Sequence, residues 1–148
     1  MRVRNATDED IKSIIEMARD FYAHTVYDIP FDEGSTRENI ETSMSYELCF
    51  IAEDSEGVEA GFILGVASPF LVNRDHYVCA ELAWWVMKEY RNTSAGIKLL
   101  KALEGGAKEA GCVYIAMMCL ENLEPDMIAS MYEKMGYAPA ERTYFRRL

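Results

Sequence analysis

The sequence predicts one mixed α/β domain spanning residues 1–148, and three observations carry that prediction. Strand-like and helical periodicities alternate along the chain in the order β-α-α-β-β-β-α-β-α-β, which folds sheet and helices together rather than apart. The 148 residues, half of them hydrophobic, suffice for one substantial core. No repeat, linker or low-complexity stretch divides them.

"MRVRNA" opens the chain as a short strand. Thr7 has the character of a helix N-cap, with Asp8, Glu9 and Asp10 in the first turn, where the helix dipole favours acids. Ile11, Ile14, Ile15, Ala18, Phe21 and Tyr22 follow at helical spacing, so the first helix ends between His24 and Tyr27. "YDIPFDEGS" is a loop, and a more polar helix follows over about 35–46. "LCFIAED", the turn "SEG" and "VEAGFILGVAS" predict a β-hairpin that Pro69 ends. "LVNRDH" is then a loop and "YVCAELAWWVM" a buried strand. Gly96, Leu100, Leu103, Ala107 and Ala110 line one face of the next helix, which Gly111 closes as a C′ glycine. "CVYIAMMCL" is a second buried strand, a fourth helix covers about 125–135 up to Gly136, and "YAPAERTYFRRL" alternates as a terminal strand.

The formal charge of −10 and a pI near 4.7 argue against nucleic acid or an anionic membrane as a partner, because both need a cationic surface. Cys49, Cys79, Cys112 and Cys119 form no CxxC pair and sit in apolar runs, as buried reduced thiols of a cytoplasmic protein do. The two histidines, His24 and His76, are far apart, so no metal site is expected. The N-terminus lacks a signal-type apolar core, and no apolar run is long enough to span a bilayer.

The stretch "EYRNTSAGIKLL" follows the central strand and opens a helix. A strand, a short polar turn and a helix N-terminus collect backbone N–H groups that the helix itself cannot satisfy, and these can hold an anion. The same pattern is also simply a capped helix. Neither the G-x-x-x-x-G-K-[ST] phosphate loop nor the G-x-G-x-x-G dinucleotide fingerprint is present.

"EYRNTSAGIKLLKALEGGAKEAGC" resembles the R-x-x-G-x-G/A turn and following helix of the GNAT N-acetyltransferase superfamily. Arg91 takes the first slot, Ser94 the first glycine slot and Gly96 the last. "AELAWWVMKEY" resembles the family's central strand, and "MYEKMGY" at 131–137 its "LYEKLGF" segment, so the resemblance covers nearly the whole chain. It implies an acetyl-CoA-dependent enzyme acting on an amine, of the small bacterial and phage type. It also implies a mixed, mostly antiparallel central sheet with splayed central strands and about four flanking helices. Arg91, Asn92, Thr93, Ser94, Ala95 and Gly96 would hold the pyrophosphate. The strand backbone near Trp85, Val86 and Met87 would pair with the pantetheine arm. The family often carries an Asn seven residues before the tyrosine; Pro125 stands there, and Asn122 is the nearest substitute. A homodimer joined through the C-terminal strands is compatible with the family.

Glu81 is the candidate base, because it is the only acid within an otherwise apolar strand. A carboxylate there is either used or paired with a nearby Arg or hydroxyl, and burial would lift its pKa into a useful range. His76, at the strand's start, is the reserve. Tyr132 takes the family's general-acid slot; the alternative is a tyrosine that packs its helix. Trp84 and Trp85 must point to opposite faces, one toward the core and one toward the acceptor. Tyr22, Tyr27, Asp28, Phe31, Asp32 and Glu33 fall on the expected acceptor side, where acids would favour a cationic amine, or they form a solvated loop. Two further readings remain: a catalytically silent acyl-CoA-binding regulatory module, and an α/β domain with no CoA site.

Overall fold

Strand pairing begins at the N-terminus. In the computed structural model, which describes residues 1–148, β1 (Arg2–Asn5), β2 (Cys49–Glu53), β3 (Glu59–Phe70), β4 (Asn73–Val86) and β5 (Cys112–Ala116) form one sheet in chain order. The first four strands are antiparallel neighbours, and β5 joins β4 in parallel. This is the mixed, mostly antiparallel sheet that was expected. Residues 1–118 and 119–148 form two compact units. The first holds the sheet, α1 (Ile11–Ala23), α2 (Glu33–Ser45) and α3 (Ala95–Glu109); the second holds α4 (Pro125–Lys134).

The helix α3 packs on one sheet face, where Leu99, Leu103 and Ala107 meet Phe50, Ile63, Ala67 and Cys79. Full burial of such apolar side chains stabilises by about 1.5–3 kcal/mol each. Gly106 lets α3 approach closely, since a Cβ there would lie 3.0 Å from the Phe50 ring. On the other face, Phe21 of α1 meets the Trp85 ring at 5.6 Å. The two tryptophans do diverge: Trp84 packs toward the α3 core and Trp85 toward α1.

A single extra residue reshapes β4. Leu64 pairs with Ala83 but Gly65 pairs with Glu81, so Leu82 is a β-bulge. Bulges break the ladder locally and re-aim the residues that follow. Before the bulge the odd residue Cys79 faces α3; after it the even residues Trp84 and Val86 do. The parallel ladder to β5 stops at Ala80 and Ala116, while β4 continues to Val86. The central strands therefore splay immediately at Glu81.

Four expectations need correction. "LVNRDH" is not wholly a loop: β4 already starts at Asn73, because the exposed end of the β3–β4 ribbon tolerates polar residues. Pro69 does not end β3, which runs to Phe70. The Gly65 N–H points across to Leu48 O, and Pro69, four residues on, points its missing donor to that same side, beyond the last β2 pairing at Leu64. The strand read from "CVYIAMMCL" is shorter and more exposed than expected, with Val113 and Tyr114 open to solvent because β5 is a sheet edge. No strand forms in 137–148, the segment expected to join a homodimer. Its alternation is a propensity, and a strand also needs a neighbour for its N–H and C=O groups.

The thiols also divide. Cys49 and Cys79 are buried, and desolvation pushes both up to about 12, which leaves them unreactive. Cys112 is half-buried, and Cys119 is exposed rather than in the core.

Candidate active site

The helix α3 starts in a turn built from its own side chains. Thr93 donates its hydroxyl to Tyr90 O at 2.6 Å and accepts the Ala95 N–H at 3.2 Å. Thr93, rather than Ser94, is thus the side-chain cap. Ser94 is exposed and makes no capping bond, so its hydroxyl is not committed to the helix. The N–H groups of Gly96 and Ile97, in the first helical turn, make no hydrogen bond within the chain. An anion at this point would meet backbone donors and the positive end of the helix dipole. Of the predicted turn residues, Arg91, Asn92, Thr93 and Ser94 are exposed and Ala95 is buried.

Gly96 serves packing more than approach. A Cβ there would lie 3.2 Å from the Trp84 ring, so the residue's bare face is turned to the sheet and only its N–H is available to a ligand.

The strand β4 offers its backbone selectively. The Met87 N–H donates to Ala60 O at 2.9 Å, so it is committed to the sheet. In an antiparallel pair successive residues alternate the side to which their amides point. Trp85 therefore shares Met87's direction, toward β3, while Val86 and Trp84 point into the splay. Of the three residues assigned to the pantetheine arm, only Val86 has its amide on the open side; Trp85 and Met87 are corrected to sheet partners. Arg91 lies here too, donating Nε–H to Val86 O at 3.1 Å with its guanidinium 4.4 Å from the Trp85 ring centroid.

Glu81 sits at the divergence point, only 7% exposed. Its Oε2 accepts the Met118 N–H at 3.0 Å, so the carboxylate takes over a backbone donor where the β4–β5 ladder has ended. Desolvation raises its pKa to about 7, against a smaller lowering by the Met118 bond. No arginine or hydroxyl pairs with it. His76 lies on the exposed end of β4, about 16 Å from Glu81 at strand spacing.

Trp85 is the hub of a group that sequence spacing could not reveal. Its indole Nε1–H donates to Asp20 Oδ2 at 2.9 Å, and the His24 ring lies at 5.1 Å. On the expected acceptor side, several residues are engaged in building the loop. Asp32 caps α2 through Ser35 N, Glu33 pairs with Arg19, Arg19 lies over the Phe31 ring, and the Tyr22 hydroxyl donates to Ile29 O.

In the second unit, Tyr132 lies on α4, 6% exposed, with its ring 5.4 Å from that of Tyr137. Asn122 is exposed in the turn before α4.

The first unit thus holds a bulged central strand, a buried carboxyl group where that strand parts from β5, and a helix start with uncommitted N–H groups. The family model described as "Acetyltransferase (GNAT) family" matches residues 11–137. The chain belongs to that family. No curated protein matches it by sequence. Among solved structures, an acetyltransferase of Trypanosoma brucei superposes with a TM-score of 0.72 at 17% identity, covering 99% of both chains. A protein of Clostridium acetobutylicum, described as a predicted acetyltransferase and solved with acetyl-CoA, gives 0.75 at 14% identity, over 99% of this chain and 95% of that one. A transcriptional regulator of Bacillus halodurans gives 0.76 at 18% identity over 99% of both. At these identities the likeness is one of fold. No helix is long and apolar enough to cross a membrane.

Proposed function

We propose that the chain, read as one catalytic domain over 1–148, transfers the acetyl group of acetyl-CoA directly to a primary amine on a small molecule or a protein. The observation that carries this reading is Glu81: a carboxyl group raised to about 7, buried where the central strands part. A general base works best with a pKa near the working pH. Support for the co-substrate comes from the donors at Gly96 and Ile97, with the uncommitted Ser94 hydroxyl beside them. Val86 would pair with the pantetheine arm after Arg91 yields its carbonyl, and a strand N–H facing the thioester oxygen would steady the charge that develops there.

In this reading Glu81 takes a proton from the amine, directly or through one water. The amine nitrogen bonds to the thioester carbon, the carbon–sulfur bond breaks, and Tyr132 supplies the proton to the departing thiolate. The role of Tyr132 rests on its place in the Y-E-K-x-G-Y segment. Asn122 is assigned to the cofactor arm on the same basis.

Ser94→Asp tests the anion turn. A carboxylate is a good group at a helix start, so apo stability should stay level or rise. The same charge would repel a pyrophosphate, and acetyl-CoA affinity should fall at least about tenfold, or 1.4 kcal/mol. Wild-type affinity by calorimetry would remove the turn from the site.

Tyr132→Phe keeps the ring and should leave the melting temperature nearly unchanged. If the hydroxyl protonates the thiolate, turnover should fall by about 10–10²-fold, low for a general acid because a thiol of pKa near 8.5 leaves tolerably unaided. Wild-type turnover at saturating acceptor would make Tyr132 a packing residue.

A further inference from the structure

The anion turn is tied to a distant hairpin, and that tie suggests a positioning role outside the residues that touch the ligand. The single helical turn Lys88–Tyr90 connects β4 to the turn before α3. The Tyr90 ring packs against the α3 core. Its hydroxyl donates to Asp54 Oδ2 at 2.9 Å, across 36 residues of sequence. Its carbonyl accepts both the Thr93 N–H, at 3.0 Å, and the Thr93 hydroxyl. Thr93 in turn caps Ala95. One residue thus links the β2–β3 hairpin to the cap that sets the first helical N–H groups.

The Asp54 end of the link is itself rigid. Asp54 Oδ1 accepts the N–H groups of Glu56 and Val58 at 2.8 and 2.9 Å, and the Asp54 N–H donates to Val58 O. The carboxylate therefore closes its own tight turn with one oxygen and holds Tyr90 with the other. Neither side chain is needed to bury the core at the hydroxyl, which points at a charged partner rather than at apolar neighbours.

We infer that Tyr90 and Asp54 are positioning residues that hold the α3-opening turn in the geometry needed to bind the pyrophosphate of the acyl-CoA. This rests on the reading of that turn given above. Preorganised donors bind an anion without first paying to order a loop, so loosening the tie should weaken pyrophosphate binding while leaving the pantetheine contacts alone.

The test compares two ligands by calorimetry: acetyl-CoA, and S-acetylpantetheine, which lacks the pyrophosphate. Tyr90→Phe keeps the ring and removes the bond. It should weaken acetyl-CoA binding by about 3–10-fold, the worth of one hydrogen bond, and leave S-acetylpantetheine unchanged. Asp54→Asn keeps a polar partner, because the tyrosine hydroxyl can accept as well as donate, and should retain acetyl-CoA affinity within about twofold. An equal loss for both ligands, or none for either, in folded Tyr90→Phe protein would overturn the inference. Absence of acetyl-CoA binding by the unaltered protein would instead overturn the reading of the turn itself.

Discussion

Glu81→Gln should lose turnover by about 10²-fold at neutral pH and, at the same time, become more stable than the unaltered protein. The two effects share one cause. Burial raises the Glu81 carboxyl from 4.5 to about 7, so the folded chain holds a proton that the unfolded chain releases between those values. Stability therefore falls as pH rises through that window. Glutamine does not titrate, and its amide oxygen can still accept the Met118 N–H. The variant should match the unaltered protein near pH 4 and exceed it by about 3 kcal/mol at pH 8, on the order of 1.36 kcal/mol for each pH unit of the shift. The unaltered enzyme's rate should rise as the carboxyl deprotonates near pH 7. Urea unfolding at pH 4 and pH 8, with a pH–rate profile, measures all three. A variant that loses stability at pH 8 while its folded fraction keeps full activity would make Glu81 a structural strap between diverging strands.

Arg4→Met should destabilise the protein by about 2–4 kcal/mol. Arg4 grips Asp10 with two nitrogens, at 2.7 and 2.8 Å, and Glu53 with Nε at 2.7 Å. Asp10 is 5% exposed and also takes the Thr7 N–H and hydroxyl. Methionine replaces the aliphatic stem but leaves the buried carboxylate without its cation, and removing one partner of a buried pair costs more than the pair itself contributes. The partial exposure of Arg4 keeps the loss below the upper range for such pairs. The Arg4 bond first, and the Thr7 bonds after it, hold Asp10 down at about 2, against the opposing effect of burial. This carboxylate contributes stability above its ordinary pKa of 3.8 and loses it as pH falls toward 2. The variant's deficit should therefore be full at pH 7 and shrink near pH 2. A deficit that persists at pH 2 would assign the loss to packing.

Helices α1 and α3 were legible because each buries one face, with apolar positions recurring at helical spacing. Glu81 was legible because an acid in an apolar strand is costly and therefore conspicuous. What the chain did not disclose depends on register and long-range approach. The Leu82 bulge is visible only against β3, yet it decides that Val86 rather than Met87 turns its amide to the splay. The bonds from Trp85 to Asp20 and from Tyr90 to Asp54 cross 65 and 36 residues, and nothing in local pattern signals either. Aromatic residues with a polar handle, placed at the ends of a buried strand, were the only available hint. The terminal segment shows the opposite failure, since "TYFRRL" has the alternation of a strand but remains irregular.

Acetyl transfer itself can be read from the products. The protein should be incubated with acetyl-CoA and a metabolite and peptide extract, beside Glu81→Gln and a protein-free control, and the amines that gain an acetyl group scored by mass spectrometry. At least one primary amine should be acetylated by the unaltered protein, and about 10²-fold more slowly by Glu81→Gln. Acetyl-CoA binding with no amine acetylated above the control would rule out transfer and make the chain an acyl-CoA-binding regulatory module.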